Sequence, residues 1–167
     1  GTSWNKLGND IDGESANDQS GYSVSLSADG SRVAIGAIEN DGTTGSANDN
    51  RGHVRIYDWN ESTSAWVQVG SDIDGEAAND ESGYFLSLSA NGSRVAIGAM
   101  YNSSYLGHVR IFDYNGSAWV QLGDDIDGEG SFDFSGFVSL SGDGSRVAVG
   151  ARNNDDNGNN SGHVRIY

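Results

Sequence analysis

Apolar and small polar residues alternate along short stretches of this chain, and the alternation recurs. Tyr22-Ser23-Val24-Ser25-Leu26-Ser27 sends alternate side chains to opposite faces of an extended strand. Ala28-Asp29-Gly30-Ser31 then supplies tight-turn residues before the apolar run Arg32-Val33-Ala34-Ile35, so the segment predicts a β-hairpin. His53-Val54-Arg55-Ile56-Tyr57 alternates again with β-branched residues on one side, and Ala65-Trp66-Val67-Gln68-Val69 predicts a further short strand. No stretch repeats its apolar residues with a helical period of about 3.6, and glycine punctuates every element, so helix should be nearly absent.

The pattern is written three times. DIDGESANDQSG starts at residue 10, DIDGEAANDESG at 72 and DIDGEGSFDFSG at 125. Behind them follow YSVSLSADGSRVAIGA, YFLSLSANGSRVAIGA and FVSLSGDGSRVAVGA, then a variable stretch, then GHVRIY, GHVRIF and GHVRIY. The first two units continue through a Trp-Val-Gln strand into the next acidic turn, and Trp4–Leu7 at the start of the chain matches that strand. Each unit therefore predicts four strands, here A (YSVSLS), B (SRVAIGA), C (GHVRIY) and D (WVQVG). Tandem four-stranded antiparallel units of about 50 residues are what β-propeller blades are made from. The expectation is an all-β, propeller-type single domain over 1–167, with blade 1 at 9–70, blade 2 at 71–123 and blade 3 at 124–167. Strand 4–8 would be the closing outer strand. Other threefold β folds, the β-trefoil and the β-prism, are the alternatives.

The frame SGYSVSLSADGSRVAIGA followed by GHVRIY resembles the FG-GAP repeat of integrin α-subunit propellers and their microbial relatives, over nearly the whole chain. SG stands where that family has FG, and AIGA or AVGA where it has GAP. The resemblance implies a propeller that works outside the cell or at its surface and makes protein or glycan contacts. Some members carry a D-x-D-x-D-G-x-x-D calcium loop in the A–B hairpin. Here the hairpins read SADGSR, SANGSR and SGDGSR, so calcium is not expected at that place.

Three blades are an awkward number, because closed propellers usually have four to eight. The strand order D-A-B-C suggests that Trp4–Leu7 completes the sheet ending in His163–Tyr167. A homodimer in which two chains pair into a six-blade ring, or a longer repeat array, resolves the shortage.

Charge narrows the partners. With 24 acidic against 9 basic side chains the formal net charge is −15, which disfavours nucleic acid and acidic membrane surfaces. No apolar run approaches the roughly 18 residues of a membrane span, and the N-terminal segment has no signal-peptide core, so no direct membrane insertion is expected. The chain has no cysteine, hence no disulfide or thiolate site.

Half of the acids sit in the repeated turns. Asp10, Asp12, Glu14 and Asp18 recur as Asp72, Asp74, Glu76 and Asp80, and again as Asp125, Asp127, Glu129 and Asp133. Such oxygen clusters suit a hard cation, and Ca2+ is the candidate cofactor. The spacing is not that of an EF-hand, since Gly21 stands where its bidentate Glu would be. The same residues equally suit turn capping and arginine pairing. Arg32, Arg94 and Arg146 open strand B, while Arg55, Arg110 and Arg165 sit in strand C, so guanidinium–carboxylate contacts at blade boundaries are expected. His53, His108 and His163 all occupy G-H-V and are read as hydrogen-bonded structural residues. Trp59, Trp66 and Trp119 are the candidate ligand-binding residues, either plugging the space between sheets or stacking on sugar rings as in propeller lectins. The unequal B–C loops Ile38–Arg51, Met100–Leu106 and Arg152–Ser161 are the expected seat of partner specificity. No nucleophile elbow, phosphate loop or HExxH is present, and every candidate acid is triplicated, which favours a non-enzymatic module over a glycoside-hydrolase-type propeller.

Overall fold

The computed structural model describes residues 3–42 and 48–167. Part of the first B–C loop, residues 43–47, lies outside them. The first sheet runs β1 (Ser20–Leu26), β2 (Arg32–Ala37), β3 (His53–Asn60) and β4 (Ala65–Gln68), with β5 (Ile73–Asp74) also on β3. The second repeats this as β6 (Phe85–Leu88), β7 (Arg94–Ala99), β8 (His108–Tyr114), β9 (Trp119–Gln121) and β10 (Ile126–Asp127). The third holds β11 (Ser135–Leu140), β12 (Val147–Ala151) and β13 (His163–Ile166). All pairs are antiparallel. The chain is thus all-β, with propeller-type blades packed side by side through their inner strands β1, β6 and β11. A helical turn, α1 (Asn102–Tyr105), lies between β7 and β8.

The sheet boundaries fall later than the repeat boundaries at 70/71 and 123/124. The outer position of each of the first two sheets is shared: β4 pairs Tyr57–Asn60, and β5 pairs His53 and Val54 further along the same strand. The chain bends between them at Gly70, and between β9 and β10 at Gly123, both with positive φ. The Asp-Ile-Asp triplet therefore belongs to the end of one blade rather than to the start of the next.

Packing between blades uses both kinds of position in the alternation. Ala34, Val54, Ile56 and Ile73 of the first sheet meet Leu88, Val95, Ile97 and Phe112 of the second. Ala96 and Val109 of the second meet Val147 and Val149 of the third. The serines between apolar residues face the neighbouring backbone instead of water: Ser23 donates to the Gly83 carbonyl, while Ser25 and Ser87 accept the N–H groups of Leu88 and Leu140.

The end blades lack these partners. Val24 and Leu26, which occupy the places of Leu86 and Leu88, are 63% and 59% exposed. Val164 and Ile166, in the places of Val109 and Ile111, are 67% and 71% exposed. Trp4–Leu7 does not join the third sheet, whose order ends at β13. Instead the Leu7 carbonyl accepts the Trp66 indole N–H at 3.2 Å, as the Val69 carbonyl accepts that of Trp119 at 2.9 Å. The segment therefore lies where the outer strand of a preceding blade would, a position set by the indole and not by strand pairing.

Glycine at the blade boundary is a steric requirement. A Cβ on Gly98 would stand 2.0 Å from the Gly136 carbonyl oxygen, whereas one on Gly142 would make an ordinary 3.6 Å contact with Ala90. Gly98→Ala should therefore lower unfolding stability by about 1–3 kcal/mol, the usual cost of overpacking, and Gly142→Ala should change it by less than about 0.5 kcal/mol in urea denaturation.

The hairpin turns give a second expectation. Asp29 and Asp143 accept hydrogen bonds from flanking serine hydroxyls and a backbone N–H, which holds each carboxyl down to about 2. Their contribution to folding is complete above the ordinary value of 3.8 and is lost as pH falls through about 2. Asn91 makes the same contacts in the second blade without a charge. Asp29→Asn, which keeps the acceptor but loses the charge, should lower the melting temperature at pH 7 by less than Asp29→Ala does, and carbon-detected NMR titration should find both aspartates half-protonated near pH 2.

Candidate functional site

Three features gather chemistry: the acidic turns, the tryptophans and the loops at one end of the blades. In each turn the acids part company. Asp18 caps its own loop, accepting the Ser15 N–H and the Asn40 amide, and Asp133 does the same with Gly130 and Asn154. Asp80 accepts the Ala77 N–H. Asp12, Asp74 and Asp127 contribute their backbone carbonyls, which accept from Arg55, Arg110 and Arg165 of the following blade. Asp10 pairs with Lys6 at 3.3 Å. The four acids of one turn therefore do not form one cage.

What converges comes from different repeats. Glu14 and Asp72 both approach Nδ1 of His53, their carboxylate oxygens 3.8 Å and 4.0 Å from it. Glu76 and Asp125 stand around His108 at 4.0 Å and 3.6 Å. At the seam between the second and third blades Glu129 lies 3.5 Å from His163, and Asp156 of the B–C loop takes the remaining place. The histidines were expected to be hydrogen-bonded. Instead the Nε2 atoms of His53, His108 and His163 are buried and have no partner among the described residues. Burial pushes the imidazoles of His53 and His108 below their ordinary value despite the acids beside them, so both are neutral near pH 7.

The arginines staple blades together. Arg32 binds Asp58 through two guanidinium nitrogens at 2.5 and 2.7 Å and also donates to the Gly92 carbonyl of the next hairpin. Arg94 treats Asp113 and Gly144 alike. The tryptophans belong to the same seams. Trp59 and Trp66 pair across strands with ring centres 5.5 Å apart, and Trp119 packs at the edge of the first core beneath Arg32. The indole N–H groups of Trp66 and Trp119 are tied to backbone carbonyls, so these two rings serve packing more directly than stacking on a ligand.

The loop end holds a cluster that the repeat pattern conceals. Tyr22, Tyr84, Tyr101, Tyr105 and Phe134 form a chain of rings with successive centres 4.7 to 5.7 Å apart. Exposed Phe132 stacks on exposed Tyr105 at 5.3 Å. Beside them opens a cleft of about 700 Å3 lined by Asn79, Asp80, Glu81, Tyr101, Ser103 and Tyr105, among others. Its walls are strained. Ser103, Ser104 and Tyr105 are all left-handed, as are Asn79 and Glu81 on the opposite wall. In the third copy Phe132 and Phe134 replace Asn79 and Glu81 in the same left-handed geometry, where Asn is tolerated and Phe is not favoured. Holding two phenylalanines there costs on the order of 1–3 kcal/mol each. The signal was present in the sequence as FDF standing for NDE, a departure from an otherwise faithful repeat.

No known family model and no curated protein matches the chain. Solved structures that superpose on it include a provisional 6-phosphogluconolactonase from Bacteroides uniformis, 17% identical, covering 86% of this chain and 39% of that one at a TM-score of 0.48. TolB from Acinetobacter baumannii is 19% identical and covers 86% and 31% at 0.45. Hydrazine synthase from Kuenenia stuttgartiensis is 15% identical and covers 86% and 44% at 0.48. This chain spans less than half the length of each.

Glu81 is the titratable group that marks the cleft. Burial, and then the charge of Glu39, raise its carboxyl above the ordinary value of 4.5. The stability linked to it is full below that value and is lost as pH rises through the raised one. Glu81→Gln should accordingly raise the melting temperature at pH 7 and leave it unchanged at pH 4, as read by thermal unfolding at both pH values.

Proposed function

We propose that this chain is a non-catalytic binding module of the FG-GAP propeller kind, acting at the cell surface or outside the cell and engaging a protein or glycan partner at its loop end. The observation that carries this reading is the aromatic cleft. Tyr101 and Tyr105 offer ring faces, and Asn79, Asp80, Glu81 and Ser103 offer amide, carboxylate and hydroxyl groups around them. Ring faces flanked by such groups suit a sugar, whose C–H faces pack on aromatics while its hydroxyls hydrogen-bond. The strained backbone that presents Tyr105 and Phe132 supports a binding role, because strain of this kind gathers at ligand sites. The triplicated acids, spent on caps, arginine pairs and the histidine clusters, support the absence of catalysis.

The exposed end faces support the second half of the proposal, that blades of the same kind complete the assembly. Val24 and Leu26 on one end, and Val164 and Ile166 on the other, hold the places of residues that pack together inside the molecule. Two copies joined head to tail at both ends would make a ring of six blades.

Two measurements test this. On a glycan array the protein should bind a restricted set of sugars, with Tyr105→Ala and Phe132→Ala each weakening the signal at least tenfold; signals unchanged in both variants would remove the cleft from the binding role. In sedimentation the protein should run as a dimer that Val164→Glu converts to monomer. A wild-type monomer would reject pairing of copies.

A further inference from the structure

We propose that this chain holds divalent transition-metal sites of the zinc type, one built by Glu14, His53 and Asp72 at the outer end of the first blade and one by Glu76, His108 and Asp125 at the seam between the first and second blades. In both, the three ligand atoms lie within 4.8 Å of one another. The imidazole is the independent observation. The side chains of His53 and His108 are only 2% exposed, their Nε2 atoms have no hydrogen-bond partner among the described residues, and Nδ1 is the nitrogen aimed at the acids. A buried polar ring without a partner is costly. Its Nδ1 faces two carboxylate oxygens, but at 3.6 to 4.0 Å they are beyond hydrogen-bond reach. One ion fits that gap: metal–nitrogen and metal–oxygen bonds of about 2.0–2.2 Å, meeting at a tetrahedral or wider angle, separate two ligand atoms by roughly 3.4 to 4.2 Å.

The donor set chooses the metal. One imidazole nitrogen and two carboxylates, with water completing the shell, suit zinc and its neighbours, whereas calcium takes six to eight oxygens. The other oxygen of each glutamate faces a guanidinium, Arg55 at 3.6 Å and Arg110 at 3.7 Å, which orients the carboxylate without occupying its metal-facing oxygen. Glu76 arrives from the segment leaving the first blade, while His108 and Asp125 belong to the second, so an ion there ties neighbouring blades together. The seam between the second and third blades has the weaker version, with His163 partly exposed and Asp156 drawn from a loop. This inference stands apart from the aromatic cleft and does not depend on it.

The test is zinc chloride added to chelator-treated protein, followed by native mass spectrometry and calorimetric titration, with calcium and magnesium chloride in parallel. At least two zinc ions should bind per chain and raise the melting temperature, and neither calcium nor magnesium should do so. Glu76→Gln and Asp125→Asn change partly exposed carboxylates and should preserve the fold, checked by circular dichroism. Each should remove one ion or weaken it at least tenfold, and His108→Asn should act on the same ion. Zinc binding that is absent, or unchanged in all three variants, would overturn the proposal. So would calcium bound with the same stoichiometry and lost in the same variants, which would make the site an oxygen cage.

Discussion

Backbone lies directly on backbone where one blade meets the next, and the rest of the molecule is arranged around that contact. Gly36 faces the Gly83 carbonyl and Gly98 the Gly136 carbonyl, at separations that leave no room for a Cβ. A little further along, Gly52 and Gly107 press on the backbone of Ser82 and Ser135, which donate their N–H groups to Arg51 and Leu106. The GA of strand B, the SG before strand A and the glycine before the histidine are thus parts of one seam. Because the sheets approach so closely there, only glycine fits at the contact itself, and the larger Ile56, Ile97, Leu88 and Phe112 fill the core beside it.

At the rim the seam becomes electrostatic. Arg32 and Arg94 reach from strand B to an aspartate on the same sheet and to a carbonyl on the next, satisfying both with one planar group. Arg110 binds the Asp74 carbonyl that ends β5, Arg55 binds the matching Asp12 carbonyl ahead of the first sheet, and the histidine beside each arginine has two carboxylates near its Nδ1. The high negative charge is therefore drawn inward at repeated points, where it meets arginine and imidazole, and is not only a solvated coat. Where the repeat is broken, at FDF and at the left-handed turn before Leu106, the surface becomes aromatic and concave. A regular scaffold with one irregular end is the arrangement that lets a binding surface diverge without disturbing the core.

Much of the architecture was legible beforehand because its causes are local. Alternation, the Asp-Gly and Asn-Gly turns and the glycine spacing define the hairpins, and tandem copies define how many sheets there are. The turn-capping role of Asp18 and Asp133 was equally readable, since an Asx residue reaches its own loop. The place of the Asp-Ile-Asp triplet was not. Its repeat begins a unit, yet its backbone completes the previous sheet, and only strand pairing distinguishes the two. Nor was the position of Trp4–Leu7 readable, because an indole bond to a carbonyl replaces the expected ladder.

The candidate sites divide along the same line. By itself the sequence determined the residue types, their threefold recurrence, the all-β class and the location of variability in the loops. Tertiary structure decided which acid meets which histidine, because Glu76 leaves the first blade while His108 and Asp125 belong to the second, and they converge only when one blade packs on the next. It also tied the indoles of Trp66 and Trp119 to backbone carbonyls and gathered Tyr101, Tyr105 and Phe132 at the open end. Contacts set by short-range chain geometry can be read along the sequence; contacts across a seam depend on how the sheets are stacked, and that is a property of the whole fold.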